Sequence, residues 1–279
     1  MCYHRQANQT LIYFALQKEI NMSVSFKMIK PNKKAKRLII VCAVILLIIA
    51  AATVIGKAVS SDKPNFFSSG GEYVEGIDVS RYNGDIEWDK VAQEVDFAII
   101  RVGYRGYGNG DIGEDANYAV NLKNANKEKL PVGVYFYTQA TTPEEAAEEA
   151  RFLLERIEPY EITLPVFIDY EYPLDSDKKR TGRLADADLS GKEAAEVINA
   201  FCREVKNEGY YAGVYASSSV LNFEIKTSNL DDDMYIWVAD YNDIVTYLGS
   251  YDLWQHTKSG SCNGVNSKYV DRNYWYIGK

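Results

Sequence analysis

The chain has 279 residues, 47% of them hydrophobic and 25% charged, which is enough to bury a full-sized core and unlike a disordered polypeptide. Its net charge of -8 is unevenly placed: residues 1–60 hold nine Lys/Arg and one acid, leaving 22 bases against 38 acids downstream. A C-terminal part this acidic repels phosphate and gains little from counterion release, which argues against a nucleic-acid partner.

Residues 1–37 read as a basic cytoplasmic segment ending in Lys33, Lys34, Lys36 and Arg37; Met22 and Met28 would serve equally well as starts. The uncharged run LIIVCAVILLIIAAATVIG (38–56) has the length of a bilayer-spanning helix. The basic cluster before it predicts a single pass with the N-terminus cytoplasmic and the rest outside the cell membrane. A cleaved signal peptide followed by secretion is the competing reading, but such apolar cores usually run roughly 7–15 residues. Cys2 is then cytoplasmic and Cys42 buried in the membrane. Residues 57–73, rich in Ser, Gly, Lys and Asn with Phe66-Phe67 as the one large apolar pair, read as an exposed linker, so the folded domain is expected over 74–279.

From there short β-branched and aromatic runs alternate with helical patterns: GIDVS (76–80), then 88–95; FAIIRVGY (97–104), then 116–128; PVGVYFYT (131–138), then 143–157. Thr142-Pro143-Glu144-Glu145 has capping-box spacing with Pro at the first helical position. LPVFIDYEY (164–172) follows, and Ser190-x-x-Glu193 opens another helix that Gly209 closes. Strand-like runs at 211–217, 234–240, 251–257 and 268–271 complete the chain. About eight strands with fewer helices in some 200 residues predict an α/β domain, an irregular TIM-like β/α barrel with a parallel sheet, preceded by the one transmembrane helix.

Chemistry in such barrels gathers at the C-terminal ends of the strands. Asp78, Asp169, Glu171, Asp240 and Asp271 all fall there, with Tyr104, Tyr137, Tyr172, Tyr215, Trp237 and Gln255 beside them as candidate substrate contacts. Positions i and i+2 of a strand share a face, so Asp169 and Glu171 should emerge together, their Cβ atoms roughly 6.5–7 Å apart. Two acids that close cannot both ionise freely; one becomes a proton donor beside a charged partner, the division of labour that glycosidic cleavage needs. Asp78 taken alone reads equally well as a turn former, and Asp271 is no more specific. Most of the 22 tyrosines, Tyr135 among them, must be packing residues. His4 and His256 are the only histidines, and no HExxH, paired-Cys or G-x-S-x-G pattern occurs, so neither a metal, a cofactor nor a serine or cysteine nucleophile is expected. An oxidising compartment would permit a Cys202–Cys262 bridge.

Several separated motifs agree in order: GIDVSRYNGDIEW, FAIIRVGYRG, Asp115-x-x-Tyr118-x-x-Asn121, GVYFYT, FIDYEY, GVYASSS, MYIWVADY, LWQH and YVDRN. Together they resemble glycoside hydrolase family 25, the muramidases, over residues 76–276. The resemblance implies hydrolysis of the β-1,4 bond between N-acetylmuramic acid and N-acetylglucosamine in peptidoglycan strands. It assigns Glu171 as general acid and then base, Asp169 as the residue orienting the substrate's 2-acetamido group, and Asp78 and Asp271 as further acids. It also implies a substrate-assisted route, the acetamido oxygen acting as nucleophile. This chain departs from the pattern at Tyr170, in a slot often aliphatic, at His256, where Tyr is common, and in the charged loop 173–189. Two rivals stay open: a non-catalytic glycan-binding module, and a hydrolase of another N-acetylated polymer such as chitin.

Overall fold

The computed structural model describes residues 63–67 and 72–277, all within one compact unit, Ser61–Lys279. The segment expected to cross the membrane, 38–56, and the basic segment before it lie outside the described residues. Among the described residues no helix is long and apolar enough to cross a membrane.

Nine strands form one sheet: β1 (Tyr73–Val79), β2 (Phe97–Arg105), β3 (Ile112–Glu114), β4 (Val132–Tyr137), β5 (Val166–Asp169), β6 (Ala212–Ser217), β7 (Tyr235–Ala239), β8 (Leu253–Gly260) and β9 (Val270–Tyr276). The order β1-β9-β8-β7-β6-β5-β4-β2, closed by pairing of β1 with β2, makes an eight-stranded barrel, and β3 hangs on β2 as a hairpin arm. Neighbours from β1 round to β8 are parallel, but β9 runs antiparallel to both β8 and β1. The expected parallel sheet is thus interrupted at β9, one of the late strands. Only residues 261–269 join β8 to β9, too few for the crossover a parallel pair requires, so the chain turns back on itself.

Six short to medium helices surround the barrel: α1 (Trp88–Val91), α2 (Tyr118–Lys127), α3 (Pro143–Ile157), α4 (Arg183–Asp186), α5 (Gly191–Asn207) and α6 (Ser218–Phe223). The Ser190–Glu193 capping box forms in full, Glu193 N donating to Ser190 Oγ at 3.4 Å and Ser190 N to Glu193 Oε2 at 2.8 Å. At α3 only half of it forms. Thr142 accepts from Glu145 N, while the Glu145 carboxylate bonds Thr141 N at 2.8 Å and pairs with Arg183 at 2.7 Å.

Two cores result from the two faces of each strand. Outward residues such as Ile100, Val134, Ile168 and Val214 meet the helices in an aliphatic layer that includes Leu153 and Phe201. Inward ones, among them Phe97, Phe167, Trp237, Leu253 and Trp275, fill the barrel with rings. A Cβ on Gly213 would lie 2.5 Å from Phe167, so the ring packing itself demands glycine there.

Residues 63–67 are not the free spacer expected. Phe66 packs against Tyr211, Trp275 and Tyr235 at centroid distances of 5.1, 5.5 and 5.7 Å, and Phe67 against Trp275 and Phe97 at 5.6 and 5.8 Å. Lys63 pairs with Asp252 at 2.7 Å, and Tyr235 donates to the Pro64 carbonyl at 3.0 Å. The segment covers the end of the barrel where the parallel strands begin, because an aromatic pair gains more by capping open rings than by facing water. Cys202 and Cys262 are both free and buried, each bonded to a different carbonyl, of Gly213 and Asn263, so the bridge that oxidation would permit is not formed.

Candidate active site

The opposite end, where the parallel strands finish, holds the acids. Asp78 is the penultimate residue of β1, Asp169 is the last residue of β5, Glu171 follows two residues later, and Asp271 lies near the start of the reversed strand β9. All four line one cavity of about 340 Å³ together with Tyr135, Tyr215, Trp237 and Gln255. Tyr170, between Asp169 and Glu171, points the other way and is fully buried in the outer core. A second cavity of about 860 Å³ shares Tyr135, Asp169, Glu171, Lys258 and Asp271 with the first and extends past Tyr82, Tyr104, Tyr107, Tyr137 and Tyr269. The pair forms a narrow pit opening into a longer tyrosine-lined groove.

Asp78 is the best-solvated acid in terms of hydrogen bonds. Its Oδ2 accepts from Gln255 Nε2 and Asn273 Nδ2, each at 2.9 Å. Both amides are locked in that orientation by aromatic donors: Gln255 Oε1 receives the hydroxyls of Tyr215 (3.0 Å) and Tyr241 (2.7 Å), and Asn273 Oδ1 receives the Trp237 indole N–H at 2.8 Å. Burial still raises the Asp78 carboxyl to about 6, against the lowering effect of these bonds. It is therefore largely ionised at neutral pH and acts as a fixed negative charge.

Its neighbours respond. Burial, then Glu171 and Asp78, hold Asp169 well above the usual carboxylate range, with Arg101 opposing. Glu171 keeps a solvent-exposed side, yet the cleft walls close in enough for burial to be the main cause of its raised pKa, with Asp78 next. Asp271 is pushed up to about 8 by burial, Asp78 and Glu171. One anion, held by two hydrogen bonds that three aromatic donors anchor, thus favours the protonated forms of the acids around it. Asp169 Oδ1 is buried without a hydrogen-bond partner among the described residues.

Of the other residues singled out, Tyr215, Trp237 and Gln255 line the pit, and Tyr104 and Tyr137 line the groove. Tyr172 and Asp240 line neither. Tyr172 sits edge-on to Tyr170 with the Arg180 guanidinium 4.3 Å above its ring. Asp240 organises the loop after β7: its carboxylate accepts from Ser218 Oγ (2.6 Å), Thr246 N (2.7 Å) and Asn242 Nδ2 (2.6 Å). Burial works against its charge, but these bonds outweigh it and hold the carboxyl below the usual range. Both are out of phase with the inward positions, Tyr172 sharing the parity of Tyr170 and Asp240 opposing that of Trp237. His256 likewise faces outward, stacked on Tyr274 at 4.0 Å. Among the described residues no group of His, Cys, Asp or Glu is arranged to hold a metal ion.

Sequence reasoning passed over Asn273, Tyr241, Arg101 and Lys258. Asn273 was within reach, being two residues from Asp271 on the same strand face. Asp115, in the spaced motif near α2, proves to be the partner of Arg101, whose Nε and second guanidinium nitrogen lie 2.8 and 2.7 Å from its Oδ2.

Comparison with known proteins places this architecture. The chain is 29% identical to the modular autolysin LytC of Streptococcus pneumoniae, whose structure was solved in complex with a synthetic peptidoglycan ligand; the TM-score is 0.62, over 75% of this chain and 48% of that one. It thus spans about half the length of that autolysin. A family 25 glycosyl hydrolase from Bacillus anthracis shares the fold at 22% identity and TM-score 0.59, covering 77% of this chain and 94% of that one. The uncharacterized protein YegX of Escherichia coli (strain K12) is 24% identical over 208 residues, 72% of this chain and 68% of its own length. A model of the glycosyl hydrolases family 25 matches residues 77–265, a stretch that runs through Asp78, Asp169 and Glu171 and stops short of Asp271, and the chain therefore belongs to that family.

Proposed function

We propose that the domain is an N-acetylmuramidase, cleaving the β-1,4 bond between N-acetylmuramic acid and N-acetylglucosamine in peptidoglycan, and that residues 38–56 hold it to the outer face of the cell membrane. The observation that carries the reading is the pair Asp169–Glu171: both acids line one pit with their pKa values raised, while Tyr170 between them is buried on the far side.

Protonated Glu171 donates its proton to the glycosidic oxygen as the bond to C1 breaks. The substrate's own acetamido oxygen closes on C1, giving a cyclic oxazolinium. The unpartnered Asp169 Oδ1 accepts the acetamido N–H and so orients the acetamido oxygen toward C1. Water then attacks C1, Glu171 takes its proton, and the acetamido group is restored with Glu171 protonated again. Burial and then the Asp78 charge favour the protonated form of Glu171. The groove tyrosines offer ring faces to neighbouring sugars. The likeness to an autolysin solved with a peptidoglycan ligand supports the substrate.

The test is digestion of purified cell walls by the full chain, with mass spectrometry of the products. Fragments with reducing muramic ends are expected. Release of nothing from any wall preparation would leave the domain a glycan-binding module, and cleavage of chitin in preference would reassign the substrate. Fractionation tests the anchor: the protein should stay with membranes and be shaved by external protease, whereas recovery as a soluble secreted form would refute it.

A further inference from the structure

We propose that Lys258 is a positioning residue for this reaction, the counter-charge of the acid cluster, acting on Glu171 and Asp271 from the point where the pit and the groove join. The inference rests on the reading of Glu171 as the general acid.

Lys258 lines both cavities, as do Glu171 and Asp271. The other cation close to the acids, Arg101, is already committed to Asp115 at 2.7 Å. Lys258 is in no ion pair among the described residues; its ammonium stands 5.0 Å from the ring of Tyr241, whose hydroxyl is bonded to Gln255. It is therefore a cation whose charge no carboxylate has neutralised, placed beside four acids.

Every barrel element contributes a group that acts on Glu171. Asp78 from β1 favours its protonated form, while Asp169 from β5 and Asp271 from β9 are themselves raised by its charge. The hydroxyls of Tyr137 on β4, Tyr215 on β6 and Tyr241 after β7 face it and are themselves kept neutral by burial. Arg101 on β2 and Lys258 on β8 alone favour ionisation. A site that donates a proton and then takes one back needs Glu171 to release as well as to hold, and Lys258 limits the holding. Because the lysine is exposed, its effect is partly screened by solvent and salt.

The experiment compares the full chain with Lys258→Met and Lys258→Arg, reading kcat/KM against pH on purified walls and, independently, the carboxyl carbon resonance of Glu171 by NMR, assigned with Glu171→Gln. In Lys258→Met the descending limb and the Glu171 titration should both move to higher pH, by roughly 0.5–1 unit at low salt, and by less at high salt. Lys258→Arg should track the wild type. An unmoved limb and resonance overturn the proposal, and so does a rise in KM with the limb in place, which would make Lys258 a substrate contact. If the resonance moves but the wild type turns nothing over, the counter-charge stands and the muramidase reading falls.

Discussion

Asp78 on β1 and Asp271 on β9 are direct cross-strand partners, two acids set opposite each other in an antiparallel pair. Like charges so placed repel, and the structure resolves the conflict by giving Gln255 and Asn273 to Asp78 alone. Asp78 carries the charge and Asp271 the proton.

Asp78→Asn should therefore act at a distance. The fixed charge disappears, so Glu171 and Asp271, both raised by it, fall toward ordinary values. A general acid that ionises earlier moves the descending limb of kcat/KM to lower pH, opposite to the shift expected for Lys258→Met. A pH–rate profile of Asp78→Asn with its descending limb unmoved would contradict the assignment.

Glu171→Gln removes the proton donor and should lower kcat by about 10²–10⁴-fold, with Asp169→Asn comparably harmful. Neither change should lower the melting temperature, since each relieves a crowded acid. Assays on walls and thermal unfolding, run side by side, check both halves.

Asp240→Ala should do the reverse. It leaves the donors of Ser218, Asn242 and Thr246 unmatched, at a cost of about 2–3 kcal/mol, so the loop after β7 loosens and the unfolding midpoint drops. An unchanged midpoint would mean that the loop holds itself.

Phe66→Ala uncovers the start of the barrel and should destabilise by about 1–3 kcal/mol, without altering the pH profile of activity. Urea midpoints read the first expectation and rate profiles the second. A stable domain cut off at residue 72 would show the segment to be dispensable.

Stability should fall as pH rises from about 4 to 8. Asp78, Glu149 and Asp271 are raised to about 6, 7 and 8, chiefly by burial, so the folded state keeps protons that the unfolded chain gives up near pH 4. Stability tied to a raised acid is fully present below its unfolded value and is lost as pH passes its folded one. Below pH 4 the depressed carboxyl of Glu145, held at about 2 by Arg183 and Thr141 against the effect of burial, takes over and stability falls again. Urea midpoints at pH 5 and pH 8 should differ by at least about 1 kcal/mol; equal values would refute the raised set.

Much of this was legible because strand side chains alternate. That rule put Asp169 and Glu171 on one face, and the capping signals at Thr142 and Ser190 marked helices that begin where expected. The same rule, applied strictly, would have withheld Tyr172 and Asp240. Lys258 defeats it: β8 shifts register against β9 after Gln255, and the bulge turns Lys258 into the cleft where simple alternation would count Thr257.

The sequence by itself determined the elements, the barrel and the acids at the strand ends, since hydrophobic periodicity and capping are local and each residue's face follows from its neighbours. The tertiary structure alone decided which acid is charged, which lysine reaches the acids, that β9 turns back and that Phe66 and Phe67 close the barrel. Those outcomes depend on burial and on contacts between residues far apart in the chain, such as Asp78 with Asn273 and Phe66 with Trp275. Electrostatics and packing act through space, and only the closed barrel brings those partners together.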